Sequence, residues 1–507
     1  MNRMTTQKLK YNTISSVLHQ VIAVICGFIV PRAIIGAFGS EVNGLVNSIA
    51  QFLQVIAFLD LGVGTVVQTA LYKPLTMQDS EQISRVITSA ERFFRKIAYI
   101  LLAYTFFLIC FFNKLNSSDF SWGYTATLIA AMSISFFSQY YFGIVDRLLL
   151  TADQKVYIYY IAQMATLLLN ALSCVVLIHV GASIQIVRLV SSLVFLLRPV
   201  VLRLYVNKRY SIDRRIKYEG EPIDQKWNGI AQHVAFTVLD STDIIVLTLL
   251  STLSNVSIYS VYHLVVYGVK QLFVSLTDGV QPIMGELYAK QEMDKLNDFF
   301  SKVEWLIHAG TVLIFGCTGA LILQFVSVYT NGVHDAEYIQ PLFAVLIVLA
   351  HGCHCLRLPY NIIIFASRHF KKTQNNYFIS TAINIVVSVI TVRIWGLVGV
   401  AIGTLAAMAF QTIWMAWYNS KNILKRPLIF FIKQIFVDAI SICILWMGPF
   451  HFELSAINYI SWGIEAVKCF LLYTLIIFFI NIIFYRENVR FCIGKVLKSK
   501  EKQIELD

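Results

Sequence analysis

The sequence predicts an all-α integral membrane protein with about fourteen transmembrane helices. Long apolar runs, about fourteen in number, follow one another between Tyr11 and Phe484, and a short polar break follows each of them. A helix rises about 1.5 Å per residue, so each run can cross a hydrocarbon core of about 30 Å. Hydrophobic residues make up 57% of the chain and charged residues 14%. A soluble protein would need more polar surface than this balance provides.

The polar breaks divide the chain into its elements in order. The first run is too long for a cleaved signal peptide and has no small-residue cleavage site after it, so we expect it to remain in the protein. The predicted spans are 9–37, 41–72, 91–112, 121–151, 156–180, 184–206, 227–250, 254–288, 299–330, 338–368, 374–394, 397–419, 427–448 and 456–485. Almost none of the chain lies outside them, so function must be sought among the helices.

Basic residues fall in every second break, which predicts the orientation because short loops rich in Lys and Arg stay cytoplasmic. In chain order these inner segments hold Arg3 to Lys10, Lys73 to Lys96, Lys155, Lys208 to Lys217, Lys290 to Lys302, Arg368 to Lys372, Lys421 to Arg426, and the tail from Arg486 to Lys502. The outer side offers only Lys114 and Arg393. Both termini are therefore predicted to be cytoplasmic. The net charge of +12 is scattered over short loops without a basic domain, so we predict no nucleic-acid binding.

The chain repeats itself weakly, with a period of about 215 residues. Gly62-Val63 is echoed by Gly279-Val280, residues 148–152 by residues 362–366, and Asn170 by Asn384. We therefore predict two six-helix halves of the same orientation, related by an axis along the membrane normal. The predicted domains are an N-terminal lobe (1–206), a cytoplasmic connector (207–226), a C-terminal lobe (227–419), and a terminal helix pair with a basic tail (420–507).

The nine cysteines predict neither disulfides nor a metal centre. Eight of them fall in predicted spans and the ninth in the cytoplasmic tail, where they are typical of small packing residues. The cluster His351-Gly-Cys-His-Cys355 could place three ligands on one helix face. No second ligand group with metal spacing accompanies it, so we expect polar packing there, with no metal and no cofactor.

Several segments resemble one family of transporters. Gly39-Ser40-Glu-Val-Asn-Gly44, Asp60-Leu-Gly-Val-Gly64 and Leu71-Tyr-Lys-Pro74 resemble the opening of Wzx-type polysaccharide flippases. Gln139-Tyr-Tyr-Phe-Gly-Ile144 and Leu148-Leu-Leu-Thr-Ala-Asp-Gln-Lys155 resemble the fourth span and the loop after it. The similarity covers most of the first 290 residues and is looser beyond them. This family belongs to the MOP superfamily, together with the MATE drug exporters and the lipid II flippases.

The resemblance implies a MATE-like fold, with a cavity between two lobes and alternating access. Its implied cargo is an oligosaccharide linked to undecaprenyl pyrophosphate, flipped across the bacterial cytoplasmic membrane for capsule, O-antigen or exopolysaccharide synthesis. Membrane lipids are implied partners, and polysaccharide polymerase or export proteins are further candidate partners.

Cations inside the spans are the candidate binding residues for a pyrophosphate. Ionisable groups at membrane depth cost roughly 2.5–3.5 kcal/mol at a helix centre, so they usually face a cavity or a partner. The candidates are Lys270, Arg357, Arg198, Arg32 and Arg147. Arg32 and Arg147 lie near span ends and could instead snorkel to the headgroups. Lys270 and Arg357 lie deeper, and Arg357 shares a polar stripe with His354 and Asn361.

Acidic residues inside the spans are candidates for ion coupling. Asp240 and Asp243 are three apart on one helix face, and two close carboxylates raise one pKa, which suits proton exchange. Asp60 is a third candidate. A structural reading remains open, in which Asp146 neutralises the adjacent Arg147 and Asp278 neutralises Lys270.

Three functions compete. A flippase for lipid-linked oligosaccharide fits the mixed and basic deep sites. A MATE-like exporter of small molecules would prefer an acidic cavity for cationic drugs. A polysaccharide polymerase or membrane glycosyltransferase needs a larger catalytic loop than the outer breaks provide, and we find no nucleotide-binding loop or nucleophile elbow. We therefore expect a transporter and not an enzyme.

Overall fold

The computed structural model describes residues 3–60, 62–116, 119–218, 220, 222–223, 242–277, 279–448, 452 and 454–490. These residues form helices and contain no strand. Eleven helices among them are long and apolar enough to cross a membrane. The first of these, Lys10–Ala57, covers the predicted span 9–37 and the first half of the predicted span 41–72. Further helices lie at residues 63–77, 242–250, 253–277 and 280–289. The all-α membrane fold with about fourteen helices is confirmed.

The first half of the chain begins with one long helix and continues through shorter ones. Its elements are α1 (Arg3–Gln54), a 3-10 segment (Val55–Asp60), α2 (Val63–Met77), α3 (Ser80–Leu115), α4 (Trp122–Ser138), a π-helical turn (Gln139–Gly143), α5 (Ile144–Ala152), α6 (Val156–His179) and α7 (Ile184–Arg209). A further helix, α8, covers residues 242–250. The π-helical turn joins α4 to α5 within one membrane span.

A kink at Gly39 divides α1 into the two spans that the sequence predicts. Gly39 has φ 85° and ψ 175°, a conformation open almost only to glycine. The kink frees the next amide, so the Ser40 N–H donates to Asp335 Oδ2 at 2.6 Å and its hydroxyl to Asp335 Oδ1 at 2.7 Å. At this break between the two spans, the Asp335 side chain satisfies the freed backbone group.

Helices in the second half of the chain correspond in length to helices in the first half. Its elements are α9 (Leu253–Thr277), α10 (Val280–Ala289), α11 (Met293–Tyr329), α12 (Pro341–Ala366), α13 (Phe370–Trp395), α14 (Leu397–Asn422), α15 (Ile429–Met447) and α16 (Tyr459–Phe484). Helices α3 and α11 have 36 and 37 residues, and α7 and α14 have 26 each. Both pairs begin 213 positions apart, which agrees with the predicted repeat.

The chain forms two compact units. Unit 1 contains residues 1–260 and 332–336, and unit 2 contains residues 261–331 and 337–507. Unit 1 includes α8 and the start of α9, and both bond to α1. The Ser48 and Thr248 hydroxyls lie 2.7 Å apart, and Asn43 donates to Ser257 of α9 at 2.8 Å. The lobe and connector boundaries predicted from hydropathy remain predictions.

Within unit 2, the terminal pair α15 and α16 packs on α11 through polar contacts as well as apolar ones. His308 Nδ1 lies 2.6 Å from Asp438 Oδ2, and Trp305 donates to Asn481 at 2.6 Å. Tyr473 of α16 donates to the Leu445 carbonyl of α15 at 2.6 Å. Polar bonds between helices in lipid contribute about 0.6 kcal/mol each on average, so several together hold this pair in place.

Candidate functional site

Unit 2 holds a group of basic side chains at membrane depth, on helices α9 and α12. We name it the histidine–cation cluster: Lys270, Arg357, His263, His351 and His354. Lys270 and Arg357 are each 3% exposed, and His351 and His354 are buried. The charge of Lys270 acts on both histidines of α12, and the His263 and His351 rings lie 5.5 Å apart. The structure therefore brings together the two deepest predicted cations.

Helix geometry explains why α12 presents three members of the cluster together. His351, His354 and Arg357 are spaced by three residues and share one face. The guanidinium of Arg357 donates to His354 Nδ1 over 2.9 Å. Because a guanidinium can only donate, Nδ1 accepts and the ring proton lies on Nε2. Asn361, the predicted third member of this stripe, instead accepts from Tyr377 at 2.7 Å.

The adjacent histidines and cysteines of α12 form no metal centre in the structure. Among the described residues, no group of three or more His, Cys, Asp or Glu is arranged to hold a metal ion. His351 Nδ1 has no hydrogen-bond partner within the described part of the chain, although the side chain is buried. The cluster can therefore offer hydrogen bonds and positive charge to an anionic group.

Unit 1 contains the predicted cations Arg147 and Arg198, and Tyr159 brings them together. The guanidinium carbons of Arg147 on α5 and Arg198 on α7 lie 5.4 Å and 5.7 Å from the centre of this one ring on α6. All three residues line a cleft with Ser135 and Gln139. Arg32 lies on α1, half buried, with its guanidinium beside Gly36, where a Cβ would be 3.3 Å from it.

Asp146 does not neutralise Arg147, contrary to the structural reading given above. Successive residues of a helix point about 100° apart, so neighbours do not face each other. Asp146 is fully buried and accepts instead from Arg203 at 2.6 Å and from Arg214 at 2.9 Å. Glu91 completes this ion-pair network by accepting from the same two arginines.

Unit 2 has a similar ion-pair network. The sequence analysis predicted neither this network nor the one in unit 1. Glu304 accepts from Arg426 at 2.6 Å and from the Tyr360 hydroxyl at 2.5 Å. Glu304 follows Glu91 by 213 positions and Arg426 follows Arg214 by 212. The repeat period could therefore have shown that these residues occupy equivalent positions in the two halves. In both units, an arginine just beyond a long helix is bonded to a buried glutamate.

The candidate coupling residues are only partly described. Asp243 is buried and accepts from the Tyr259 hydroxyl at 2.8 Å. Asp240 and Asp278 lie outside the described residues, and only the backbone of Asp60 is described, at the end of the 3-10 segment. The coupling role of Asp240, Asp243 and Asp60 therefore stays a prediction.

The loop motif ending in Lys155 has a structural role. Asp153 accepts from Lys155 at 2.7 Å, from the Tyr210 hydroxyl at 2.5 Å and from Lys8 at 3.3 Å. Burial alone would raise the pKa of Asp153, but the bonds from Lys155 and Tyr210 and the charge of Lys8 outweigh burial and hold the pKa below its ordinary value. Through these bonds the motif links the start of α1 to the loop before α6.

Unit 2 also contains an apolar cleft of about 310 Å³ between α11, α12 and α15. Its walls include Phe315, Val348, Leu356, Ile442 and Trp446. Asp438, bonded to His308, is among its few polar residues. The lining suits a hydrocarbon chain better than a polar solute.

Comparisons with known proteins identify the fold. No protein-family profile matches the chain, and no curated protein matches its sequence. Among solved structures, the lipid II flippase MurJ in an inward closed conformation has a TM-score of 0.66 and 13% identity, over 94% of this chain and 98% of that one. An inward-facing multidrug resistance MATE transporter of the MOP superfamily has a TM-score of 0.59 and 13% identity, over 87% of this chain and 100% of that one.

A MATE transporter of Vibrio cholerae, VcmN, is similar to the same degree, with a TM-score of 0.58 and 13% identity over 85% of this chain and 100% of its own. These structures belong to transporters and a flippase and not to enzymes. At such low identity, the similarity establishes the architecture alone. The chain therefore has the helical fold shared by the lipid II flippase MurJ and the MATE transporters of the MOP superfamily.

Proposed function

We propose that this protein flips undecaprenyl-pyrophosphate-linked oligosaccharide units from the inner to the outer leaflet of the bacterial cytoplasmic membrane. The product would supply capsule, O-antigen or exopolysaccharide synthesis. The observation that carries the proposal is the buried pairing of Lys270 and Arg357 with histidines on α9 and α12. Both termini would be cytoplasmic, and polysaccharide polymerase or export proteins are proposed partners.

A pyrophosphate headgroup matches the chemistry of the histidine–cation cluster. A guanidinium can donate two parallel hydrogen bonds to phosphate oxygens, and a lysine supplies a compact charge. At membrane depth such charges persist when they serve a ligand or a partner. The hydrogen bond to His354 already orders the Arg357 guanidinium. Binding of the substrate therefore costs less side-chain conformational entropy at Arg357.

The apolar cleft of unit 2 supports a cargo with a lipid chain. Its walls are almost wholly apolar, and it lies in the same unit as the histidine–cation cluster. A water-soluble cargo would gain nothing from such a surface. Within the bilayer, what such a surface offers a polyprenyl chain is van der Waals packing against apolar side chains.

The energy source remains a proposal. We find no Walker-type phosphate-binding loop in the sequence, so we propose ion coupling or the product gradient in place of direct ATP drive. Asp240, Asp243 and Asp60 are the proposed coupling residues. A carboxylate that exchanges a proton or sodium ion as the transporter reorients would link flipping to the membrane gradient.

A MATE-like exporter is the second candidate, because MATE transporters share the fold over more than four-fifths of the chain. The two functions differ in the charge of the cargo. A buried Lys270 and Arg357 would repel a cationic drug, whereas they would attract a pyrophosphate.

The test measures which lipid intermediate accumulates on the inner leaflet when the protein is depleted and then restored as variants. Lys270→Gln and Arg357→Gln should each reduce export of the polymer at least tenfold, because each removes a charge that the pyrophosphate needs. Lys270→Arg should reduce export less than Arg357→Lys does. At Arg357 a planar guanidinium can donate two parallel hydrogen bonds to phosphate, and a lysine cannot replace them.

Lys421→Gln is the matched control, since Lys421 is exposed and also lies over an aromatic ring, 5.5 Å from the centre of Trp417. Membrane levels of every variant are measured by immunoblot. Normal export by both neutral variants at normal protein levels would overturn the proposal. Cells that lose resistance to a cationic drug but accumulate no lipid-linked glycan would favour the exporter.

A further inference from the structure

A buried polar stripe runs along α11 in unit 2, outside the histidine–cation cluster. Glu304, His308 and Thr311 are spaced by four and three residues, so they share one face of the helix. All three side chains are buried. Helix α11 is long and apolar enough to cross a membrane. Ionisable groups at membrane depth are costly and commonly belong to a proton relay, a ligand site or an ion pair.

His308 forms a histidine–carboxylate pair with Asp438 of α15. His308 Nδ1 lies 2.6 Å from Asp438 Oδ2, and Gln434 donates to the other carboxylate oxygen at 3.4 Å. An ionised carboxylate can only accept, so the ring proton lies on Nδ1. The second ring nitrogen, Nε2, is buried and has no hydrogen-bond partner among the described residues. Nε2 can therefore accept one more proton.

The His308–Asp438 pair has two states that differ by one proton. With Nε2 unprotonated, the neutral ring and the ionised carboxylate together carry one negative charge. A proton on Nε2 gives an imidazolium beside a carboxylate, which together have no net charge. Burial penalises an unpaired charge far more than a paired one. The carboxylate of Asp438 therefore allows a buried ring to take up a proton.

Other ionisable groups reach this pair from the helices around α11. Glu304, one turn before His308, accepts from Arg426 and from the Tyr360 hydroxyl of α12. The Tyr360 ring stands at 90° to the His308 ring, with 6.3 Å between their centres. The charge of the Asp438 carboxylate acts on Tyr360 and on Tyr485, which follows α16. Because Arg426 is already paired with Glu304, the Asp438 carboxylate remains available to balance a charge on the ring.

The pair also adjoins the apolar cleft of unit 2. Thr311 and Asp438 are two of the residues that line this cleft. The Thr311 hydroxyl is buried and has no hydrogen-bond partner within the described part of the chain. The pair thus lies between the cleft and the ion-pair network of Glu304.

We propose that the His308–Asp438 pair binds and releases one proton in each transport cycle. The terminal helix pair would thereby take part in energy coupling, in addition to the coupling residues proposed above. Unit 2 alone provides every group of this site. The inference rests on the proposed function for the cargo that the proton drives. Proton binding by the pair does not depend on which cargo is carried.

The first measurement is NMR of the histidine ring nitrogens in the isotope-labelled full-length chain, purified in lipid nanodiscs. The His308 signal is the one that His308→Gln lacks. This signal should titrate in the wild type over the range in which histidines usually change charge, roughly pH 5 to 8. It should not titrate there in Asp438→Asn, because the imidazolium would lose the carboxylate that balances its charge. Asp438→Glu keeps a carboxylate and should keep the titration.

The second measurement is polymer export by cells at low and high external pH. Wild-type export should fall as the external pH is raised, because the inward proton gradient becomes smaller. Export by Asp438→Asn should lose this response, although the amide can still accept from Nδ1–H and keep α11 bonded to α15. Trp305→Phe is the matched control, since it removes the bond from α11 to Asn481 of α16 but no ionisable group. It should keep the response to pH.

Absence of titration at His308 in the wild type, or the same titration in Asp438→Asn, would overturn the proposal. A wild-type response of export to pH in Asp438→Asn would overturn it as well. The two proposals can fail separately. Normal export by Lys270→Gln and Arg357→Gln, with the expected His308 titration, would remove the flippase and leave the proton site. Loss of export in those two variants, without titration at His308, would leave the flippase and remove the proton site.

Discussion

At the scale of single residues, the ion-pair network of unit 1 depends on two buried carboxylates. Asp146 is fully buried and Glu91 is 4% exposed, and the two share Arg203 and Arg214. Each arginine bonds to both carboxylates. Removing one carboxylate therefore leaves two partly buried guanidinium groups with a single acidic partner.

We expect Asp146→Asn to lower the free energy of unfolding by about 3 kcal/mol, because breaking a buried pair leaves charge uncompensated. Unfolding in detergent, followed by circular dichroism, measures the change. Glu81→Gln is the control: Glu81 pairs with Arg85 on the same helix, α3, but is 63% exposed, so its loss should cost less than about 1 kcal/mol. Equal effects of the two substitutions would contradict the assigned role of the network.

At the scale of elements, the packing of α1 against the start of α9 in unit 1 depends on a missing side chain. A Cβ on Gly44 would lie 1.8 Å from the Leu253 carbonyl oxygen. Backbone atoms cannot move aside as a flexible side chain can. The hydrogen bond between Asn43 and Ser257, next to this contact, requires the same close approach.

Gly44→Ala should therefore destabilise the protein by about 3 kcal/mol, at the upper end of overpacking effects. Gly268→Ala, inside α9, should have the opposite sign, since nothing lies within 4 Å of a Cβ there and alanine gains up to about 1 kcal/mol in helix propensity. Thermal unfolding of both variants in one detergent provides the comparison. A stable Gly44→Ala protein would show that α1 and α9 do not meet as described.

Some elements were predictable from sequence and others were not, for physical reasons. Apolar length sets the helices, and the break near Gly39 follows from the polar residues around it. The π-helical turn at Gln139–Gly143 differs from the α-helix around it only in its hydrogen-bond register, which hydropathy does not reveal. Arg147 and Arg198 were predicted separately, but only tertiary packing shows that both contact Tyr159.

At the scale of the whole molecule, orientation in the membrane is the main prediction that the structure leaves for experiment. The basic residues of alternate breaks predict cytoplasmic termini. Asn331 follows α11 on the predicted outer side, and Ser211 follows α7 on the predicted inner side. Both side chains are exposed, so both can report on the side they face.

Single cysteines in a cysteine-free background test this orientation. Cysteine at Asn331 should react with an impermeant maleimide added to intact cells, and cysteine at Ser211 should react only after the membrane is opened. Labelling in opened membranes controls for access at both positions. Reaction at Ser211 in intact cells would reverse the orientation and, with it, the direction of transport that we propose.

The ion pairs Glu91–Arg214 and Glu304–Arg426 also have a consequence for biosynthesis. Each arginine follows the last helix of its repeat, so the ribosome releases it only after the helices of that repeat have been made. Neither ion pair can form until all the helices of its repeat have been synthesised. The Glu91–Arg214 pair therefore becomes possible before the Glu304–Arg426 pair does. The helices α15 and α16 leave the ribosome after the residues of both ion pairs, so the Glu304–Arg426 pair can form in unit 2 before these two helices join it.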